Sequence, residues 1–263
     1  LFSDILFVLE GLGLDLEFNP GPIFKKQITS ENFKKFNNIE KAIDHMSFQY
    51  NAIKITRQKL SKDKSLIGFV GGVWTILRFA IGQKKQKKGF QNFYFEFMET
   101  TLLEVIKKNI KLQLDAGVEI VMMFDSGIYD LEKMLFKNQY LRILNNLANA
   151  FPNKIGYYVR GKSYEEIKHL LDLPFAGIAV DSDLNLADIF SNSKIGFIQG
   201  NFDEKLLLLN PSNLISELDR YTDKIKSISN LNGWVCGLGH GINKNTPEKN
   251  VHLFIEIIRK KFN

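Results

Sequence analysis

Short runs rich in Val, Ile and Phe, each ending near Gly, Asp or Ser, recur along the chain between longer stretches of 3.6-residue apolar periodicity. This repeated βα pattern limits the fold more than any other feature. Seven strands are expected: Phe2 to Val8, Ser65 to Gly71, Val118 to Phe124, Lys154 to Val159, Phe175 to Val180, Lys194 to Gln199 and Gly233 to Leu238. Ile39, Ala42, Ile43, Met46, Tyr50 and Ile53 form one helical stripe, and Leu131, Met134, Leu135, Leu141 and Leu144 contribute to another. Ser163 with Glu166 spells a capping box, and Thr246 followed by Pro247 marks the start of the last helix.

Parallel strands with polar ends suit an α/β (β/α)8 TIM-type barrel or an open doubly wound sheet. The open sheet usually carries a glycine-rich phosphate loop after its first strand. Here Gly11 and Gly13 follow Glu10 without opening an obvious helix. The barrel is therefore expected, apparently lacking its first strand unit, because the chain begins inside an apolar run and ends after a complete βα unit. No linker or composition shift divides it, so residues 1–263 read as a single domain.

The lone cysteine, Cys236, excludes an internal disulfide framework and a multi-thiolate metal site, and suits a reducing, intracellular compartment. The first residues carry Asp4 and Glu10 without a basic flank, unlike a secretory leader. Leu66 to Gly82 is apolar enough to suggest a membrane span, yet it holds Arg78 and four glycines and reads as strand plus helix. No membrane partner is expected. A net charge of +6 and a pI near 9.1 suit an anionic partner. Lysines spread over helices make a nucleic acid the weakest choice, and the run Lys84, Lys85, Lys87 and Lys88 reads as a solvated loop.

In a barrel the chemistry gathers at the C-terminal ends of the strands. By alternation Asp4 shares a face with Phe2 and Leu6, where a carboxylate needs a partner, and its position suits a structural or a functional role equally. Asp125 and Ser126 follow a strand, and Asp125 reads as the cap of the next helix. Asp181, Ser182 and Asp183 repeat that situation, as do Asn201 and Asp203, and all read first as caps. His240 lies between Gly239 and Gly241, where backbone and ring can approach a ligand closely. Cys236 and His240 could share a strand face, but no third group orients a nucleophilic pair.

Five stretches carry a resemblance. Phe-Ser-Asp-Ile-Leu at 2–6, Gly-Phe-Val-Gly-Gly-Val-Trp-Thr at 68–75, Phe-Asp-Ser at 124–126, Gln-Gly-Asn-Phe-Asp at 199–203 and Gly-Leu-Gly-His-Gly at 237–241 resemble, in order, the motifs of the uroporphyrinogen decarboxylase family. That resemblance implies a cytoplasmic, homodimeric (β/α)8 enzyme that removes the four acetate carboxyls of uroporphyrinogen III to give coproporphyrinogen III, with no metal or organic cofactor. It makes Asp4 the essential aspartate facing the pyrrole nitrogens. Ser126 and His240 match substrate contacts, and Phe79 stands where the family has a substrate-binding tyrosine, keeping the ring and losing the hydroxyl. The family's Arg-Gln-Ala-Gly-Arg segment has no counterpart in these residues. Two alternatives remain open: a porphyrinogen-binding relative without turnover, and a cobalamin-linked methyltransferase of the same superfamily, whose zinc-thiolate design Cys236 alone could not supply.

Overall fold

The structure, a computed structural model, describes residues 4–82 and 92–262. The lysine run at 84–88 lies outside them. Contacts group the chain into two compact units, Leu1–Tyr158 and Val159–Asn263.

The first unit opens with α1 (Phe7–Gly11), a hairpin of β1 (Leu16–Phe18) and β2 (Pro22–Phe24), and helices α2 (Ile39–His45) and α3 (Ser47–Lys59). Then follow β3 (Ile67–Gly71), α4 (Val73–Ala80), α5 (Asn92–Phe97), α6 (Leu103–Ala116), β4 (Ile120–Asp125), α7 (Lys133–Leu135) and α8 (Leu141–Ala150). Strand β5 (Ile155–Val159) spans the boundary in sequence. The second unit holds α9 (Tyr164–Ile167), β6 (Gly177–Val180), α10 (Leu186–Asn192), β7 (Phe197–Gln199), α11 (Pro211–Lys226), β8 (Trp234–Val235) and α12 (Glu248–Phe262).

Within each unit the strands pair in parallel and in chain order. β3 runs beside β4 with Ile67 opposite Ile120 and Gly71 opposite Phe124. β7 lies between β6 and β8, with Ile198 opposite both Ile178 and Trp234. A doubly wound sheet reverses its strand order at a switch point, and neither unit does so. Successive parallel strands joined by helices are the TIM-type pattern.

Six of the seven expected strands are present, each starting a little later in the chain than expected. The expected strand Phe2 to Val8 is not found among the described residues. Asp4 Oδ1 accepts the Leu6 backbone N–H at 2.7 Å, which closes a turn, and the chain continues into α1. The stripe from Ile39 to Ile53 also divides, at Met46, into α2 and α3. The β1–β2 hairpin was not expected; its strands are only three residues long and Phe18 and Ile23 are exposed, so alternation had little to register.

Side-chain amides complete what the backbone leaves open. Gln113, buried on α6, accepts the Phe69 N–H and donates to the Phe69 carbonyl, each at 3.0 Å, so it stands in for a neighbouring strand along that edge of β3. In the second unit Phe202, Leu207, Leu214 and Leu218 form an apolar core onto which Leu253, Phe254 and Ile257 of α12 pack. Asn250 ties α12 down by donating to the carbonyls of Leu207 and Leu209 at 2.8 Å. The capping box Ser163/Glu166 is present as expected, and α12 starts directly after Pro247.

Candidate active site

In the first unit the polar residues past β3 and β4 are organised by Asp125. It does not cap the helix that follows it. Instead its wholly buried carboxylate serves α4, the helix of the preceding βα unit. Oδ1 accepts the Thr75 backbone N–H at 2.9 Å and the Thr75 hydroxyl at 2.7 Å, while Oδ2 accepts the hydroxyls of Tyr140 at 2.6 Å and Tyr157 at 2.9 Å. The Tyr140 hydroxyl in turn accepts the Trp74 N–H at 3.0 Å. Two N–H groups that α4 leaves free at its N-terminus are thus satisfied from outside, beside a carboxylate favoured by the helix dipole. Gly72 permits this, because a Cβ there would collide with the Asp125 carboxyl. Burial pushes the Asp125 carboxyl above its ordinary range, against the pull of the four hydrogen bonds.

Asp4 is half-buried in the turn before α1. Ile5 packs against Gly71, where an added Cβ would lie 3.2 Å from the Ile5 Cβ, so this turn stands at the C-terminal end of β3. Ser126 follows Asp125 directly, half-buried, and opens the 3-10 turn Ser126–Asp130. Its hydroxyl makes no hydrogen bond to a described residue. Phe79 sits half-buried in the last turn of α4.

Three aromatic rings missed by the sequence reading line the same strands. Phe69 of β3 meets Phe124 of β4 edge-on at 5.8 Å, and Phe124 lies 5.9 Å from Tyr158 of β5. Phe124 keeps about a third of its surface open although it sits in a strand, at 36%. An exposed ring at a barrel strand's end offers an apolar wall to a ligand. The signal was available, since Phe69 and Phe124 lie inside the quoted motifs, but an aromatic in a strand ordinarily reads as core.

In the second unit the segments past β6, β7 and β8 converge. Asp181 accepts the backbone N–H groups of Gly161 at 2.5 Å and Asp183 at 3.2 Å, while Asn185 caps α10. Burial raises the Asp181 carboxyl, opposed by those two N–H groups and by Arg160. Asn201, expected as a cap, is buried and donates to the carbonyls of Asp181 and Leu184, each at 2.7 Å; Asp203 does cap the turn after it. Gly239 lies against this loop, and a Cβ there would fall 2.5 Å from the Ser182 nitrogen. His240 therefore stands beside the Asp181–Ser182 turn, half-buried, with Nδ1 3.2 Å from the Gly241 carbonyl oxygen. Cys236 is half-buried and burial pushes its thiol up to about 11, which disfavours a thiolate. A cleft of about 600 Å³ between the 182–187 segment and α11 is lined in part by Ser182, Asp183, Asn201 and Asp203 and includes none of Asp4, Phe79, Ser126 and His240.

Parallel strands paired in chain order, each with its helix, and polar groups gathered past their C-terminal ends define an α/β-barrel enzyme. The particular family follows from comparison with known proteins. The family model described as uroporphyrinogen decarboxylase (URO-D) matches residues 1–261, and the chain belongs to that family of carboxy-lyases. It is 30% identical over 274 residues to the uroporphyrinogen decarboxylase of Orientia tsutsugamushi (strain Ikeda), covering 98% of this chain and 78% of that protein. The uroporphyrinogen decarboxylase of Helicobacter acinonychis (strain Sheeba) is 33% identical over 279 residues, covering 99% and 79%. Among solved structures, a methyltransferase from Methanosarcina mazei superposes with a TM-score of 0.78 at 15% identity, covering all of this chain and 80% of that one. At that identity the likeness bears on the fold alone. Among the described residues no helix is long and apolar enough to cross a membrane.

Proposed function

We propose that the chain removes the four acetate carboxyls of uroporphyrinogen III to give coproporphyrinogen III, without metal or organic cofactor. The observation that carries this reading, beyond family membership, is the partly open aromatic row Phe69, Phe124 and Tyr158, flanked by the strand-end turns that bear Asp4 and Ser126. A tetrapyrrole is a large apolar ring system edged with carboxylates, and such a wall beside polar turns suits it.

On this reading a pyrrole takes a proton at carbon and becomes a cationic electron sink. The bond to the carboxylate carbon breaks, its electron pair flows into the ring and carbon dioxide leaves; a proton then adds to the exocyclic carbon to make the methyl group, and the ring carbon gives up its extra proton to restore the pyrrole. Asp4 accepts hydrogen bonds from pyrrole N–H groups, and these strengthen as positive charge develops. Ser126, His240 and Phe79 contact the macrocycle or its carboxylates, and the net positive charge favours the approach of an octa-acid. The proposed working form is a single-domain barrel, homodimeric and cytoplasmic, with no nucleic-acid partner.

The methyltransferase alternative gains nothing from the shared fold, and a lone half-buried thiol is a poor zinc ligand. The test is product analysis by chromatography with chemically reduced uroporphyrin as substrate. Asp4→Ala should lower kcat at least about a hundredfold, as expected for a lost charge-stabilising group, while stability in urea falls by only about 1 kcal/mol for the lost bond to the Leu6 N–H. Phe79→Tyr should raise kcat/KM. Tight tetrapyrrole binding with no turnover by the wild-type chain would replace this reading with the binding-only one.

A further inference from the structure

We infer that Arg78 is a positioning residue, holding the Ser126–Asp130 turn in the form that presents Ser126 to substrate; this rests on the proposed function for the role of Ser126. Arg78 lies in the last turn of α4 with its side chain only 11% exposed. Its Nη2 is 2.8 Å from Asp130 Oδ2, and Trp74, one helical turn earlier on the same face, donates its Nε1–H to Asp130 Oδ1 at 3.0 Å. The guanidinium also lies 5.1 Å over the Tyr129 ring and donates to its hydroxyl at 3.4 Å. Between these anchors it crosses Gly127, where a Cβ would stand 3.0 Å from Arg78 Cδ and Nη1. The Gly127 N–H donates to Thr75 Oγ1 at 2.8 Å.

Trp74, Thr75 and Arg78, all on α4, thus grip Asp125, Gly127, Tyr129 and Asp130. Ser126 is left inside this clamp with its hydroxyl uncommitted among the described residues. Arg78 does not reach for substrate carboxylates itself. Its charge is matched by Asp130, and turning the guanidinium outward would give up that ion pair and leave the carboxylate with the Trp74 indole N–H. The role needs the planar fork, which can pair with a carboxylate and stack on a ring together; a lysine ammonium cannot do both.

The experiment is a double-mutant cycle in the whole chain, joined to amide hydrogen exchange. Arg78→Met should raise KM about tenfold with a smaller change in kcat, and should add less than about twofold in a Ser126→Ala background, because the two substitutions remove one interaction. Arg78→Lys should restore KM partway, and Asp130→Asn should reproduce the KM effect should the methionine variant fold poorly. Exchange at Gly127 and Leu131 should quicken about tenfold in Arg78→Met while that of β4 holds. An undiminished KM effect in the Ser126→Ala background, or unchanged exchange in the turn, overturns the inference. A wild-type chain that turns over no porphyrinogen overturns the proposed function instead, and the exchange measurement then decides the positioning role alone.

Discussion

Asp125 and Asp181 stand in equivalent places: each lies at the C-terminal end of a parallel strand, each precedes a serine, and each reads from sequence as the cap of the next helix. Neither is that cap. Asp125 is the centre of four hydrogen bonds, three from side-chain hydroxyls of Thr75, Tyr140 and Tyr157 and one from a backbone N–H. Asp181 holds backbone, the N–H groups of Gly161 and Asp183, in a loop, with the Arg160 charge acting on it. Partners decide the difference. A carboxylate that meets hydroxyls from three other elements becomes part of the core, whereas one that meets nearby N–H groups remains a brace for a turn.

The sharpest way to break this contrast is Asp125→Ala. It removes the acceptor of four buried donors and should cost about 3–5 kcal/mol of unfolding free energy in urea titration, if the chain folds at all. A loss under about 1 kcal/mol would show that the donors find other partners, and the hub reading would fall. Tyr140→Phe comes next, at about 2 kcal/mol, because the Tyr140 hydroxyl both donates to Asp125 and accepts the Trp74 N–H. Tyr157→Phe should cost only about 1 kcal/mol, since its bond to Asp125 leaves Oδ2 with the Tyr140 donor. Asp181→Ala should also cost about 1 kcal/mol, as for a lost cap, because water can reach a loop's N–H groups. Equal losses at Asp125 and Asp181 would erase the distinction between hub and brace.

The contrast also explains how much could be read in advance. Strands β3 to β8 were legible because their apolar runs are bounded by Gly, Asp and Ser, and chain-order pairing follows from alternation of strand and helix. The run Phe2 to Val8 misled because it looks apolar on both faces, while the Asp4 side chain bonds back to Leu6 and closes a turn there. Asp125 was misread for a similar reason. Local spacing predicts partners within a few residues, and its true partners lie 15 to 50 residues away in sequence. Arg78 read as one charge in an apolar run, with nothing nearby to announce Asp130 and Tyr129. Strand-end position pointed to Asp4, Ser126 and His240, but their roles, and Phe79 altogether, came from motif resemblance, and the aromatic row was hidden because rings in strands are ordinarily core.

The smallest expected effect tests what limits Asp125. Burial raises its carboxyl above the ordinary 3.8 while the four hydrogen bonds pull the other way, and burial is the larger cause. The folded chain therefore keeps this proton to higher pH than the unfolded chain, so stability due to Asp125 is full below 3.8 and declines as pH rises through the folded value. Asp181, raised by burial too, contributes with the same sign. Asp125→Asn removes only the first share. The difference in unfolding free energy between wild type and Asp125→Asn should then shrink as pH rises from about 4 and level off once the native carboxyl is ionised. A difference that grows with pH would mean that three hydroxyls and a helix N-terminus outweigh the loss of water around the charge; Asp125 would then be held ionised in the core by its partners, and the cost of Asp125→Ala would be greatest at neutral pH instead of in acid.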